Sequence, residues 1–164
     1  VKYFKATSIL FAYCVIALSG CASVPHSANS ALSEEKVRVF IHKISNDMER
    51  MDIKEFASNY ATNFVYEDNV STSHSIRWGY KQYLQYAANL MGRASKVESK
   101  TAIKNISIKG DSSASVEIQQ TTRVTFQGKT QEIRSIQRSK IIQKNGKLLI
   151  LHIKMLEDLG HEVL

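Results

Sequence analysis

The chain has 164 residues, 43% hydrophobic, 23% charged and 9% aromatic, and its 22 Lys and Arg against 15 Asp and Glu leave a formal charge of +7. That length makes one domain with a core of its own and is too short for two ordinary ones. The composition excludes a disordered chain and a collagen-like array. With no apolar run near the roughly 18 residues of a membrane span, it also excludes a polytopic membrane protein.

Lys2 and Lys5 precede Ile9 to Leu18, a largely apolar run. Its size is that of a secretory signal core, too short to span a bilayer. Directly after it comes Leu18-Ser19-Gly20-Cys21, which resembles the bacterial lipobox. The resemblance implies a signal peptide over residues 1–20, cleavage before Cys21, and lipid on the Cys21 thiol and its new amino terminus. An ordinary signal peptide with a chance cysteine is the plainer alternative. The other cysteine, Cys14, falls in the removed segment, so the mature chain keeps no thiol for a disulfide, a catalytic cysteine or a zinc cluster. Several acyl chains, usual for such lipoproteins, hold a domain firmly where a single one does not. Ala22, in place of the Asp that marks inner-membrane retention, favours the outer membrane of a two-membrane bacterium, with the domain in the periplasm. Loss of Lys2 and Lys5 lowers the charge to +5. The anions met there are lipid head groups and lipopolysaccharide, and no nucleic-acid partner is expected.

Residues 21–31, with Pro25 and several Ser, Ala and Asn, read as the lipidated cysteine and a short tether. A domain over residues 32–157 follows, and residues 158–164 read as a tail. Ser33 is the expected N-cap of a first helix, with Glu34 and Glu35 in its first turn. Val37, Phe40, Ile41, Ile44, Met48 and Met51 form its apolar stripe. Asp52 and Glu55 make a capping-box pattern opening a second, short helix that buries Ile53, Phe56, Ala57 and Tyr60. Phe64 to Tyr66 read as a brief strand ending at Glu67-Asp68-Asn69, and residues Ser71 to Trp78 read as a loop. A third helix runs from about Tyr80 to Met91 and is closed by Gly92. The period then changes from 3.6 to 2: strands are expected at Ala102–Ile108, Ala114–Phe126, Gln131–Gln143 and Lys147–Leu156. Asn145-Gly146 is the hairpin turn before the last. Three helices packed on a curved, mainly antiparallel sheet of four to five strands make an α+β domain.

This order of parts resembles the cone-shaped nuclear transport factor 2-like superfamily, which includes ketosteroid isomerase and the SnoaL-like cyclases. Two local matches carry it: Asp-Ile-Lys-Glu-Phe (52–56) followed by Phe64-Val65-Tyr66-Glu67-Asp68, and Trp78-Gly79 entering the third helix. The superfold hosts enzymes, transport factors and scaffolds alike. Ketosteroid isomerase uses an Asp base with an oxyanion hole made by a Tyr and a protonated Asp. By the resemblance the base falls on Asp68, the oxyanion Tyr near Ile44 and the protonated acid near Gln137. The base is kept while Ile44 cannot donate a hydrogen bond, which speaks against steroid-type isomerisation.

On the third expected strand Glu132, Arg134, Arg138 and Lys140 alternate with an uncharged face, Ile133, Ser135, Gln137, Ser139 and Ile141. On the second, Gln120 and Thr122 interrupt an apolar face. Burying such groups unpaired costs about 1–3 kcal/mol each, so they need partners, water or a ligand. The functional reading is a pocket lined by Gln120, Thr122, Ser135, Gln137 and Ser139, with Asp68 at its mouth and Trp78 capping the cone. The alternatives are a wetted or mutually bonded interior, or a dimer surface. His42, His74, His152 and His161 show no metal-ligand spacing with any acid, so neither metal nor cofactor is expected. Tyr83, Leu84, Ala87 and Met91 read as helix core. Two functions follow. One is a lipid-anchored, non-enzymatic binding or assembly module for a small hydrophobic or neutral polar ligand, an envelope protein or a second copy. The other is an isomerase- or cyclase-like enzyme with Asp68 as general base.

Overall fold

The computed structural model describes residues 31–70 and 75–164. The expected signal peptide, Cys21, most of the tether and His74 lie outside the described residues. Three helices come early. Helix α1 (Glu34–Glu49) starts where the Ser33 hydroxyl accepts the Lys36 N–H at 3.3 Å, and it buries Val37, Phe40, Ile41 and Ile44. Helix α2 (Ile53–Ser58) starts at Asp52, whose carboxylate accepts the Glu55 N–H at 3.0 Å. Both caps satisfy amide donors that the first helical turn leaves unpaired. Helix α3 (Tyr80–Arg93) begins with the Gly79 N–H donating to Gln82 Oε1 at 3.1 Å. Its end differs from expectation. Gly92 lies inside the last turn, and the helix stops at Ala94, whose extended backbone leads straight into the next strand, so no left-handed cap is required.

The strands are β1 (Tyr60–Asp68), β2 (Ile76–Gly79), β3 (Lys96–Lys109), β4 (Ser113–Phe126), β5 (Lys129–Lys144) and β6 (Lys147–Val163). They form one sheet in the order β2-β1-β6-β5-β4-β3. Strands β3 to β6 are an antiparallel meander, while β1 lies parallel to β6 and antiparallel to β2. Six strands therefore replace the four to five expected. Strand β2, in the stretch read as loop, has only four residues, too few to establish an alternation. The β5–β6 hairpin turns on Asn145 (φ 52°) and Gly146 (φ 76°), the positive-φ pair of the type I′ turn.

The meander's faces follow the sequence pattern. On β5, Ser135, Gln137, Ser139 and Ile141 are buried and Arg134, Arg138 and Lys140 exposed. Glu132 departs from it. It is buried although it points outward, because Arg123 Nε lies 2.6 Å and Arg134 Nε 3.6 Å from its carboxylate. The largest correction concerns residues 158–164, which are not a tail: β6 continues, with Glu162 opposite Glu132 and Val163 opposite Gln131. Pairing with β5 supplies partners that local pattern does not reveal.

Helices cover one face of the sheet and enclose a core built on Phe56, Phe64, Val37, Val116 and Ile141. Leu32 is already part of it, and its N–H donates to the Asp111 carbonyl at 3.1 Å. Among the described residues, every buried member of this core lies between Leu32 and Ile153.

Candidate functional site

A cavity of about 260 Å³ opens between the sheet and α3. From the edge of the sheet, β1 contributes Tyr66 and Asp68, and β2 contributes Trp78 and Ile76. These face each other because Tyr66 pairs with Trp78 and Asp68 with Ile76 across the ladder. Helix α3 adds Tyr83, Tyr86, Ala87, Leu90 and Met91, residues recurring at three and four along one face. Phe56 and Met48 also line the cavity. The rings make a continuous wall: Tyr66 stacks on Trp78 at 5.5 Å and on Tyr83 at 5.4 Å, and Trp78 meets Tyr86 at 5.1 Å.

The meander supplies the floor. Gln120 and Thr122 from β4 and Ile133, Ser135 and Gln137 from β5 all line the cavity. Ser139 does not; it lines a separate void of about 30 Å³ behind the floor, which Gln120 and Gln137 also border. The amides are partnered through the sheet. Gln137 Nε2 donates to Gln120 Oε1, Gln120 Nε2 donates to the Ser99 hydroxyl at 3.3 Å, and the Ser99 N–H donates to Glu49 Oε1 at 2.8 Å. The mutually bonded interior and the pocket thus coexist, with the chain of amides forming the floor's polar stripe.

Asp68 is 4% exposed and sits on the cavity wall. Its carboxylate accepts the Val70 N–H at 2.9 Å and the Tyr66 hydroxyl at 3.4 Å. Burial, then the negative charge of Asp68, hold the Tyr66 phenol well above its usual range. Burial likewise raises Tyr60 and Tyr83. These hydroxyls therefore stay protonated at physiological pH. Ile44, where the resemblance would set an oxyanion donor, is buried in the core.

Sequence reasoning missed the contribution of β6. Met155, Asp158 and His161 all line the cavity, a spacing of three in a strand whose side chains should alternate with period two. Two bulges reconcile this. Ile136 pairs with Glu157 but Gln137 with Met155, and Arg134 pairs with Gly160 but Ser135 with Asp158, so Leu156 and Leu159 are extra residues. Each extra residue returns the next inward position to the same face. Gly160 takes φ 107°, which only glycine adopts without strain, and its N–H donates to Asp158 Oδ1 at 2.9 Å. His161 Nε2 lies 3.4 Å from Asp158 Oδ2. Gly160 inside a strand pattern was the one local signal of a bulge.

No known sequence family matches the chain, and no curated protein does either. Solved structures do. A conserved protein from Planctomyces limnophilus superposes with a TM-score of 0.67 at 14% identity, over 77% of this chain and 95% of that one. A putative scytalone dehydratase from Novosphingobium aromaticivorans gives 0.66 at 9%, over 78% and 85%. A ketosteroid isomerase-like protein from Erwinia carotovora atroseptica gives 0.60 at 12%, over 79% and 99%. With three helices packed on a curved six-strand, mostly antiparallel sheet, the chain has the α+β nuclear transport factor 2-like fold.

Proposed function

We propose that this domain is a non-enzymatic small-molecule-binding module, held at the outer membrane by lipid on Cys21 and working in the periplasm. The cavity is what carries the binding part: about 260 Å³, walled by aromatic rings, with a polar stripe and Asp68 at its side. That volume is just below the roughly 300–1,000 Å³ of drug-sized sites, so the occupant is small and largely apolar with a polar group. The anchor is supported by the position of Leu18-Ser19-Gly20-Cys21 directly after the apolar segment. A Cys21→Ser chain should lose its acyl groups and leave the membrane fraction; one that still sediments with membranes would refute the anchor.

Trp78 is the only tryptophan and lines the cavity. Its emission therefore reports occupancy directly. Titrating residues 22–164 with one-ring compounds that do not absorb at the excitation wavelength should change that emission saturably. A flat response across hydroxyl-, amine- and ketone-bearing rings would count against a binding cavity.

A second reading, favoured by the burial of Asp68 on the cavity wall, is acid–base catalysis. Asp68 would take a proton from a carbon next to a carbonyl, leaving an enolate and a neutral carboxyl. Washout of deuterium from that carbon, absent in Asp68→Asn, would establish it. Retention of the label in the native protein would leave binding alone.

A further inference from the structure

The outer face of the sheet, away from the helices, has a basic end. A concavity of about 250 Å³ there is lined by Lys109, Ser115, Arg138, Lys140, His152 and Lys154. The ladders bring them together: Lys109 pairs with Ser113, Ser115 with Lys140, Lys140 with His152 and Arg138 with Lys154. Arg138 is answered by Glu117 at 3.0 Å, and His152 Nε2 lies 3.2 Å from Glu67, which Arg77 also meets. Lys109, Lys140 and Lys154 are exposed, and among the described residues none of them is in an ion pair. The same holds for Lys144 and Lys147, which face each other across the adjoining hairpin. Like charges directly opposite destabilise a ladder, so this end carries a cost that an external anion relieves. Farther along the same face the cations are met within the chain, Arg123 and Arg134 by Glu132 and Lys96 by Glu98.

The chain enters the domain at the same end. The Leu32 N–H donates to the Asp111 carbonyl in the turn that follows Lys109, and the Gln143 N–H ties β5 to the Ser112 carbonyl of that turn. Residues 22–31 precede Leu32 and span at most about 35 Å when extended, so lipid on Cys21 keeps this end close to its membrane. The opposite end, at the β4–β5 turn, stands a strand of 14 residues away, about 45 Å. Of the acids near the entry, Glu34 and Glu35 start α1 on the helical face, and Asp111 belongs to the turn itself. A second copy docked on this face about a two-fold axis would set the lysines against one another. Charge therefore selects an anionic surface.

We propose that this basic end docks on the anionic phosphate head groups of the membrane in which the Cys21 lipid sits. This rests on the anchor at Cys21 and adds the face that the domain turns to the membrane. Each lysine close to an anionic surface strengthens binding about fivefold. The contact orients a domain that the tether already holds near the surface, and it does not replace the anchor.

The test uses the lipidated chain with a fluorophore on Ser107→Cys, reconstituted in vesicles that carry a head-group quencher. Ser107 is exposed and pairs with Ser115 at the basic end; Ser95→Cys, exposed just before β3 at the far end, is the reference. In phosphatidylcholine mixed with phosphatidylglycerol the Ser107 label should be quenched severalfold more than in phosphatidylcholine alone, with no such change at Ser95. Salt at about 1 M should abolish the difference, because the screening length falls to about 3 Å. Lys109→Gln with Lys140→Gln and Lys154→Gln should abolish it too, in a chain that circular dichroism shows to be folded. Quenching at Ser107 that is equal in both lipids, or matched at Ser95, overturns the docking and leaves the anchor standing. Release of the Ser107 label by inorganic phosphate, where chloride of the same ionic strength does not release it, assigns the lysines to a small anion and overturns the membrane contact. A chain that fails to float with phosphatidylcholine vesicles has no anchor, and the docked orientation falls with it.

Discussion

Phe56→Ala should lower the unfolding free energy by about 3–5 kcal/mol, the range for truncating a buried aromatic ring. Phe56 is 1% exposed, packs its ring 5.0 Å from Tyr60 and 6.4 Å from Tyr83, and lines the cavity. A hole made beside existing empty space cannot be filled by collapse of a dense neighbourhood, so the loss belongs toward the upper end of that range. Urea unfolding measures it as a lower midpoint with unchanged slope. The enlarged cavity should also accept benzene, which restores stability in proportion to the logarithm of its concentration over its dissociation constant. A loss below about 1 kcal/mol, with no response to benzene, would mean that Phe56 does not wall the cavity.

Asp47→Asn comes next, at about 2 kcal/mol near neutral pH, the scale of hydrogen bonds to a charged group. Asp47 lies in the last turn of α1, where the helix dipole disfavours an acid. Its side chain is 0% exposed but shallow, lying beneath half-exposed Lys43 and exposed Arg50, each 2.5 Å from the carboxylate. Asn59 Nδ2, at the end of α2, donates to it at 2.8 Å, so the charge ties α1 to α2. Burial pushes the carboxyl up, but the hydrogen bonds from Lys43, Asn59 and Arg50 with the Lys43 charge outweigh it, and the acid is held below its ordinary value of 3.8. The sign follows from that depression. The stabilisation is complete above 3.8 and is lost as pH falls through the lower folded-state value. Native and Asp47→Asn proteins should therefore differ most at neutral pH and converge in acid. A gap that stays constant down to the acid limit would show that the Asp47 charge contributes nothing.

What could be read from the sequence was local. Ser33 and Asp52 cap helices through their own side chains, and Asn145-Gly146 turns the hairpin through its own dihedrals. Alternation on β4 and β5 placed Gln120, Thr122, Ser135 and Gln137 on the cavity face because those strands pair with one another without a slip. What stayed hidden depends on partners distant in the chain. The parallel pairing of β1 with β6 joins segments some ninety residues apart, as Tyr60 opposite Ile150 shows. The bulges in β6 depend on the register of β5, and they are what bring Asp158 and His161 into the cavity. Ser139 shares the inward face of β5 but borders a separate void with Ile41, Ile44 and Ile153, a placement set by the helix packed over that end of the strand and not by alternation. The β6 part of the cavity thus came from irregularity, which a periodic pattern cannot express.

The central claim is that the cavity holds a small molecule. The most direct measurement is native mass spectrometry of residues 22–164, exported without their lipid, kept free of detergent and transferred to volatile buffer. A small-molecule adduct on the native chain, absent from a folded Asp68→Ala chain, is the predicted spectrum. Bare chains of identical charge distribution for both proteins, at every activation energy, would contradict the claim.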